Sequence, residues 1–257
     1  PHIATLGLSA TPERDFDDLF SVVAEPALGP VIYRYDYNRA RADGVITPFG
    51  LANVEVGLTE EEQRRYDKFT RQISATYRRH QKGEDVEDRL HRLLRERARV
   101  STGATARLPA AVRLVDQHKR ARLIVFHEQI DAANILTRTL ANRNHRVAAY
   151  HSGLGPAVRQ DNLRMFRRGE IDVLVTCRAL DEGINVPDAS VAVLVASTAS
   201  TRQRIQRLGR VLRPASGKEQ ALVYTIYATE PEADRLRQEA ERLEGANEIR
   251  WLRIGAA

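Results

Sequence analysis

Leu123-Ile124-Val125-Phe126, Arg146-Val147-Ala148-Ala149-Tyr150 and Ile171-Asp172-Val173-Leu174-Val175-Thr176 are three short apolar runs. Two stretches of helical character, Asp131 to Leu140 and Pro156 to Phe166, separate them. Each run is too short for a helix and reads as a buried strand. Val191 to Ala196 and Gln220 to Ile226 continue the series, with Thr201 to Leu208 as a helix between them. Strands and helices alternating at this spacing predict an α/β fold, a parallel sheet with helices on both faces. A last helix is expected over Pro231 to Leu243, followed by a tail holding Ile249 and Trp251.

Upstream of Arg122 the pattern is less regular. An apolar run from Ile3 to Leu8 reads as a buried strand, and a domain rarely opens on a core strand, so a piece of a longer protein is expected. A short helix follows Asp17 and Asp18, then breakers at Pro26, Gly29 and Pro30, then a strand over Val31 to Tyr35. Gly44, Pro48 and Gly50 punctuate a hinge-like stretch before a strand at Val54 to Leu58. The 257 residues suit two domains better than one. With 42% apolar and 29% charged residues the chain is globular, neither disordered nor membrane-spanning. The single cysteine, Cys177, excludes an intramolecular disulfide framework and fits a reducing compartment, and no histidine spacing suggests a metal site.

The formal charge is +6, and it is unevenly placed. Glu60 to Arg122 holds 17 Lys/Arg against 10 Asp/Glu, while the remainder nets −1. Thr59 can cap a helix whose first turn holds Glu60, Glu61 and Glu62, with Arg71, Arg78 and Arg79 towards its negative end. Tyr66, Phe69, Ile73 and Tyr77 form one apolar stripe along it. A second helix is read over Val86 to Val100. Taken in isolation, such a charge run is read as a solvated helical hairpin before a nucleic-acid grip.

Chemistry concentrates in Gln206-Arg207-Leu208-Gly209-Arg210-Val211-Leu212-Arg213. Arg207, Arg210 and Arg213 are three apart, so a helix aligns them on one ridge, where they repel unless an anion such as a polyphosphate lies opposite. The octet resembles motif VI of the superfamily 2 helicases, Q-R-x-G-R-x-x-R, at every defined position. Thr176 to Pro187 resembles motif V, Leu6 to Pro12 with Ser9-Ala10-Thr11 resembles motif III, and Leu123 to Phe126 is similar to motif IV, followed by His151-Ser152-Gly153. The order and spacing are those of the family. Leu180 to Ala189 and Ile205 to Pro214 are most similar to the XPB-like DNA helicases, and the basic segment after Thr59 matches their thumb insertion.

The resemblance implies a RecA-like second lobe over 122–257, a connecting strand and basic thumb-like insertion over 46–121, and the tail of a first RecA-like lobe with linker over 1–45. It implies that Arg210 and Arg213 act as arginine fingers on ATP, with Gln206 ordering the attacking water or the γ-phosphate. Gly183, Asn185 and Arg207 belong to the nucleotide side; Asn185 stands where the family has Asp. Thr176, Ser152 and Gly153, at strand ends, are the candidates for phosphate-backbone contacts, together with Arg71, Arg78 and Arg79 on the thumb. Ser9, Ala10 and Thr11 would couple nucleotide state to lobe closure. ATP with Mg²⁺ is the implied cofactor set, held mainly by an N-terminal lobe; DNA is the implied partner, with RNA left open, and the setting is cytoplasmic or nucleoid-associated. The chain has no G-x-x-x-x-G-K-[ST] loop: Gly217-Lys218 lacks the upstream glycine and precedes Glu219. It is therefore expected not to hydrolyse ATP alone. Two alternatives stay open, a non-catalytic interaction module and the motor of a restriction or defence system.

Overall fold

A strand of Val, Leu and Ile can bury both faces only in the middle of a sheet covered on both sides. The computed structural model describes residues 6–8, 20–177, 189–196, 219–242 and 248–254, and there these runs form such a sheet. Its strands are β1 (Phe49–Val56), β2 (Leu123–His127), β3 (Val147–His151), β4 (Val173–Cys177), β5 (Val191–Leu194), β6 (Ala221–Tyr227) and β7 (Glu248–Ile254). Their order is β3-β4-β2-β5-β6-β1-β7, and every pairing is parallel. The helices are α1 (Glu25–Leu28), α2 (Tyr37–Ala42), α3 (Glu60–His80), α4 (Glu87–Thr102), α5 (Arg107–Gln117), α6 (Ile130–Asn142), α7 (Pro156–Arg168) and α8 (Glu230–Arg242). This is a RecA-like α/β fold with an added helical insertion.

Side chains of β2 alternate between two cores, as a period of two requires. Leu123 and Val125 pack with Leu136 and Leu140 of α6 and with Ala111 and Val115 of α5. Ile124 and Phe126 pack on the other face with Phe166 of α7. α7 stops at Gly169, whose φ of 77° is a left-handed conformation that glycine adopts without strain.

Three expectations need correction. Val31 to Tyr35 pairs with no strand among the described residues, because alternation makes a run competent to pair but does not supply the neighbour. The strand expected at Val54 to Leu58 starts five residues earlier, at Phe49, and includes Gly50, which pairs with Leu222 on one side and Glu248 on the other. It is a sheet member rather than a connection. The tail around Trp251 is likewise the edge strand β7. Of Ile3 to Leu8, only residues 6–8 are described, and they are not in a strand. After Asp18 the chain forms a π-helical turn, Phe20–Ala24, before α1.

Candidate nucleic-acid interface

α3 begins as its sequence dictates. The Thr59 hydroxyl accepts from the Glu62 N–H at 3.2 Å, and the Thr59 N–H donates to Glu62 at 2.9 Å, closing a capping box. The other Glu62 oxygen accepts from the Thr105 N–H at 2.9 Å, which ties the start of α3 to the turn after α4. Arg97 of α4 lies 5.5 Å from the Tyr66 ring, so the aromatic side of α3 faces α4. Arg64, Lys68, Arg71 and Arg78 follow the opposite side at helical spacing, and all four are exposed. Arg71 has no hydrogen bond or ion pair among the described residues, and Arg78 reaches the Ser74 carbonyl of its own helix at 3.4 Å. Arg79 differs: it pairs with Glu84 at 2.6 Å. Arg64, Lys68, Arg71 and Arg78 form no ion pair among the described residues, so α3 presents an outward row of cations.

Ser152 and Gly153 form the exposed turn just past β3. A Cβ on Gly153 would stand 3.1 Å from His151 Nδ1 and 3.4 Å from Ile130 Cγ2, so the turn lies against the His151 imidazole. That ring is buried, and its Nε2 is 3.0 Å from Asn134 Oδ1. Gly153→Ala should therefore destabilise the chain by about 1–3 kcal/mol through overpacking, measured by urea unfolding. A loss near zero would show that the ring yields freely.

Thr176 does not occupy the position expected of it. β4 runs one residue further, to Cys177, with β3 on one side and β2 on the other. The Thr176 side chain is fully buried, and its hydroxyl donates to the Val125 carbonyl at 3.4 Å, so it offers no surface to a phosphate here. Ser9, Ala10, Thr11, Gly183, Asn185, Gln206, Arg207, Arg210 and Arg213 lie outside the described residues. Among the described residues no three His, Cys, Asp or Glu side chains gather into a metal-holding group.

A buried hub that no sequence motif marks lies at the carboxyl end of the sheet. Arg107, 1% exposed, opens α5. Its Nε donates to the Ser101 carbonyl at 2.8 Å, and one terminal nitrogen donates to the carbonyls of Val195 at 2.8 Å and Ile226 at 2.6 Å. The other donates to both Glu232 oxygens, at 2.6 and 2.8 Å. Glu232 also accepts from the N–H groups of Ala228 and Thr229 and from the Thr229 hydroxyl. Burial pushes the Glu232 pKa up, but the Arg107 charge and the Ala228 N–H outweigh it, and the net shift is downward. The one signal for Arg107 in the sequence is that it heads a helix whose next residues, apart from Arg113, are apolar or Pro109.

His127, at the end of β2, accepts from the Gln129 N–H on Nδ1 at 3.0 Å. Burial, and then the nearby Arg107 charge, push its pKa down to about 4. The unfolded chain takes up this proton near pH 6.5, which the folded chain refuses until about 4, so stability is lost as pH falls through that window. Going from pH 7 to pH 5 should lower the unfolding free energy by about 2 kcal/mol through this group alone. Burial lowers the His118 and His151 pKa values in the same direction. Urea titrations at the two pH values test this, and His127→Gln should flatten the difference; equal stabilities would contradict the buried neutral ring.

Residues 106–215 match the family described as the helicase conserved C-terminal domain. The chain carries a superfamily 2 helicase C-terminal domain. Over 240 residues, 86% of the chain, it is 28% identical to "DNA 3'-5' translocase XPB2" of Sulfurisphaera tokodaii, of which it covers 52%. Its fold is also that of a putative HsdR subunit of a type I restriction enzyme from Vibrio vulnificus, at a TM-score of 0.64 and 19% identity, covering 96% of this chain and 43% of that one. A third similar structure is S. cerevisiae Dbp5 bound to RNA and ADP BeF3, with a TM-score of 0.57, 16% identity and coverage of 96% and 50%. The helicase C-terminal domain is thus related to several branches of the superfamily. The chain spans about half or less of the length of the first curated relatives it matches. No helix among the described residues is long and apolar enough to cross a membrane.

Proposed function

We propose that the chain is the C-terminal half of an ATP-dependent DNA helicase or translocase of the XPB-like kind, and that the α3–α4 hairpin holds the phosphate backbone of its track. The observation that carries this reading is the outward row of exposed cations on α3, with Arg71 unpaired among the described residues, opposite the face that packs on α4. Such a row attracts a polyanion without reading bases. In this reading Arg210 and Arg213 act as arginine fingers on the γ-phosphate of ATP, the substrate, Gln206 orders the attacking water or that phosphate, and Gly183, Asn185 and Arg207 belong to the nucleotide side. Ser152 and Gly153 add backbone contacts at the end of β3.

The reading also includes a preceding RecA-like lobe as partner. Residues 20–45 expose Val22, Val23, Ile32 and Tyr33, with Ile32 81% exposed, which is unusual for adjacent large apolar side chains. A strand-competent segment with no pairing strand among the described residues is what a lobe contributed by earlier residues would cover.

The test is direct binding of duplex DNA to the 257-residue chain across a salt series. Affinity should fall with salt along a log–log slope of about −3 or steeper, the signature of several phosphate contacts. Duplex RNA of the same length should bind more weakly. A flat salt response would remove the hairpin from the track, and an RNA preference would move the chain to the RNA-helicase branch.

A further inference from the structure

Arg107 joins two parts of the molecule that have different tasks under the proposed function, on which this inference rests. Ser101 is in the last turn of α4, the second helix of the basic hairpin. Glu62 fastens the first helix to Thr105 in the adjoining turn, so both helices are tied to the stretch that Arg107 terminates. On the other side, Val195 is the first residue after β5, and the chain beyond it runs to Gln206, Arg207, Arg210 and Arg213. Ile226 lies one residue before the end of the neighbouring β6.

A guanidinium is a rigid planar fork, and all five of its N–H groups are used here. Releasing the fork strips buried donors from the Val195 and Ile226 carbonyls and from Glu232 Oε1, so a displacement of Arg107 is costly and its acceptors tend to move with it. A shift of the α4 end therefore reaches the exit of β5 through one side chain. We infer that Arg107 is a positioning residue that couples nucleic-acid engagement at the α3–α4 hairpin to the segment leaving β5, which bears the arginine octet.

Hydrogen–deuterium exchange of the chain with and without a short duplex DNA tests the coupling. In the wild type, DNA should slow exchange over α3–α4 and also over residues 195–213. In R107M/E232Q, which removes both charges and keeps an acceptor for the Thr229 N–H, protection of α3–α4 should persist while that of 195–213 drops several-fold. R107K should keep a cooperative melt yet fail to restore the distant protection, because one ammonium cannot span acceptors on four segments. Equal protection of 195–213 in wild type and variant, or none there in a wild type that protects α3–α4, overturns the coupling alone. No protection of α3–α4 in the wild type overturns the DNA reading together with it. Loss of folding in both R107K and R107M/E232Q assigns Arg107 a fold-holding role only and also overturns the coupling.

Discussion

Arg107→Met should lower the unfolding free energy by about 3–5 kcal/mol, the range for breaking a buried ion pair by removing one partner. Methionine fills much of the same volume, so the loss is not chiefly a cavity. It arises because Glu232 stays in place, with its side chain only 10% exposed, and loses the cation that holds it ionised. The carbonyls of Val195 and Ile226 lose the guanidinium donor in the same step, while that of Ser101 keeps the Ala104 N–H at 3.3 Å. Glu232 retains three bonds from Ala228 and Thr229, which keeps the effect short of a wholly orphaned carboxylate. R107M/E232Q should recover part of the loss, since the uncompensated charge is then absent. A urea-based double-mutant cycle measures the recovery as a coupling between the two sites. A single-variant loss below about 1 kcal/mol would mean that water replaces the guanidinium and that the hub is not dry.

How much of this was legible depended on where the deciding partner lay. β2 and β4 could be read directly, because a run such as Leu123 to Phe126 must be buried on both faces and only a covered parallel sheet allows that. The start of α3 was legible from Thr59 and Glu62, three residues apart. β1 and β7 were not. Phe49 and Gly50 sit beside Pro48, and Arg250 and Arg253 interrupt β7; both strands exist because each pairs with residues far away in the chain. Thr176 was read as the end of its strand, but β4 runs one residue further, and the Thr176 hydroxyl is buried between β3 and β2. Arg107 was hidden by its company, one basic residue among 17 in its segment, and its acceptors lie as far as 125 positions away. The hairpin cations show the converse. Their exposure followed from helical spacing alone, whereas the pairing of Arg79 with Glu84 did not.

Replacing Arg71, Arg78 and Arg79 together with Glu should weaken duplex DNA binding by about 10²–10³-fold near 0.1 M salt. Each neutralised phosphate releases roughly 0.9 counterion, so losing three contacts should also make the salt slope shallower by about 2–3. The three positions should not contribute equally. Arg71 has no competing partner among the described residues and should matter most as a single change. Arg79 must leave Glu84 to meet a phosphate and should matter least. The fold should survive, because all three side chains are exposed and the apolar side of α3 is untouched. A modest drop in melting temperature is expected, since Glu at positions 78 and 79 opposes the negative end of the α3 dipole. Arg71→Gln/Arg78→Gln separates that effect from binding, as it removes charge without reversing it, and it should still flatten the slope by about 2. Unchanged affinity with an unchanged slope would return α3 and α4 to a solvated hairpin and leave the DNA contacts to the strand ends around Ser152.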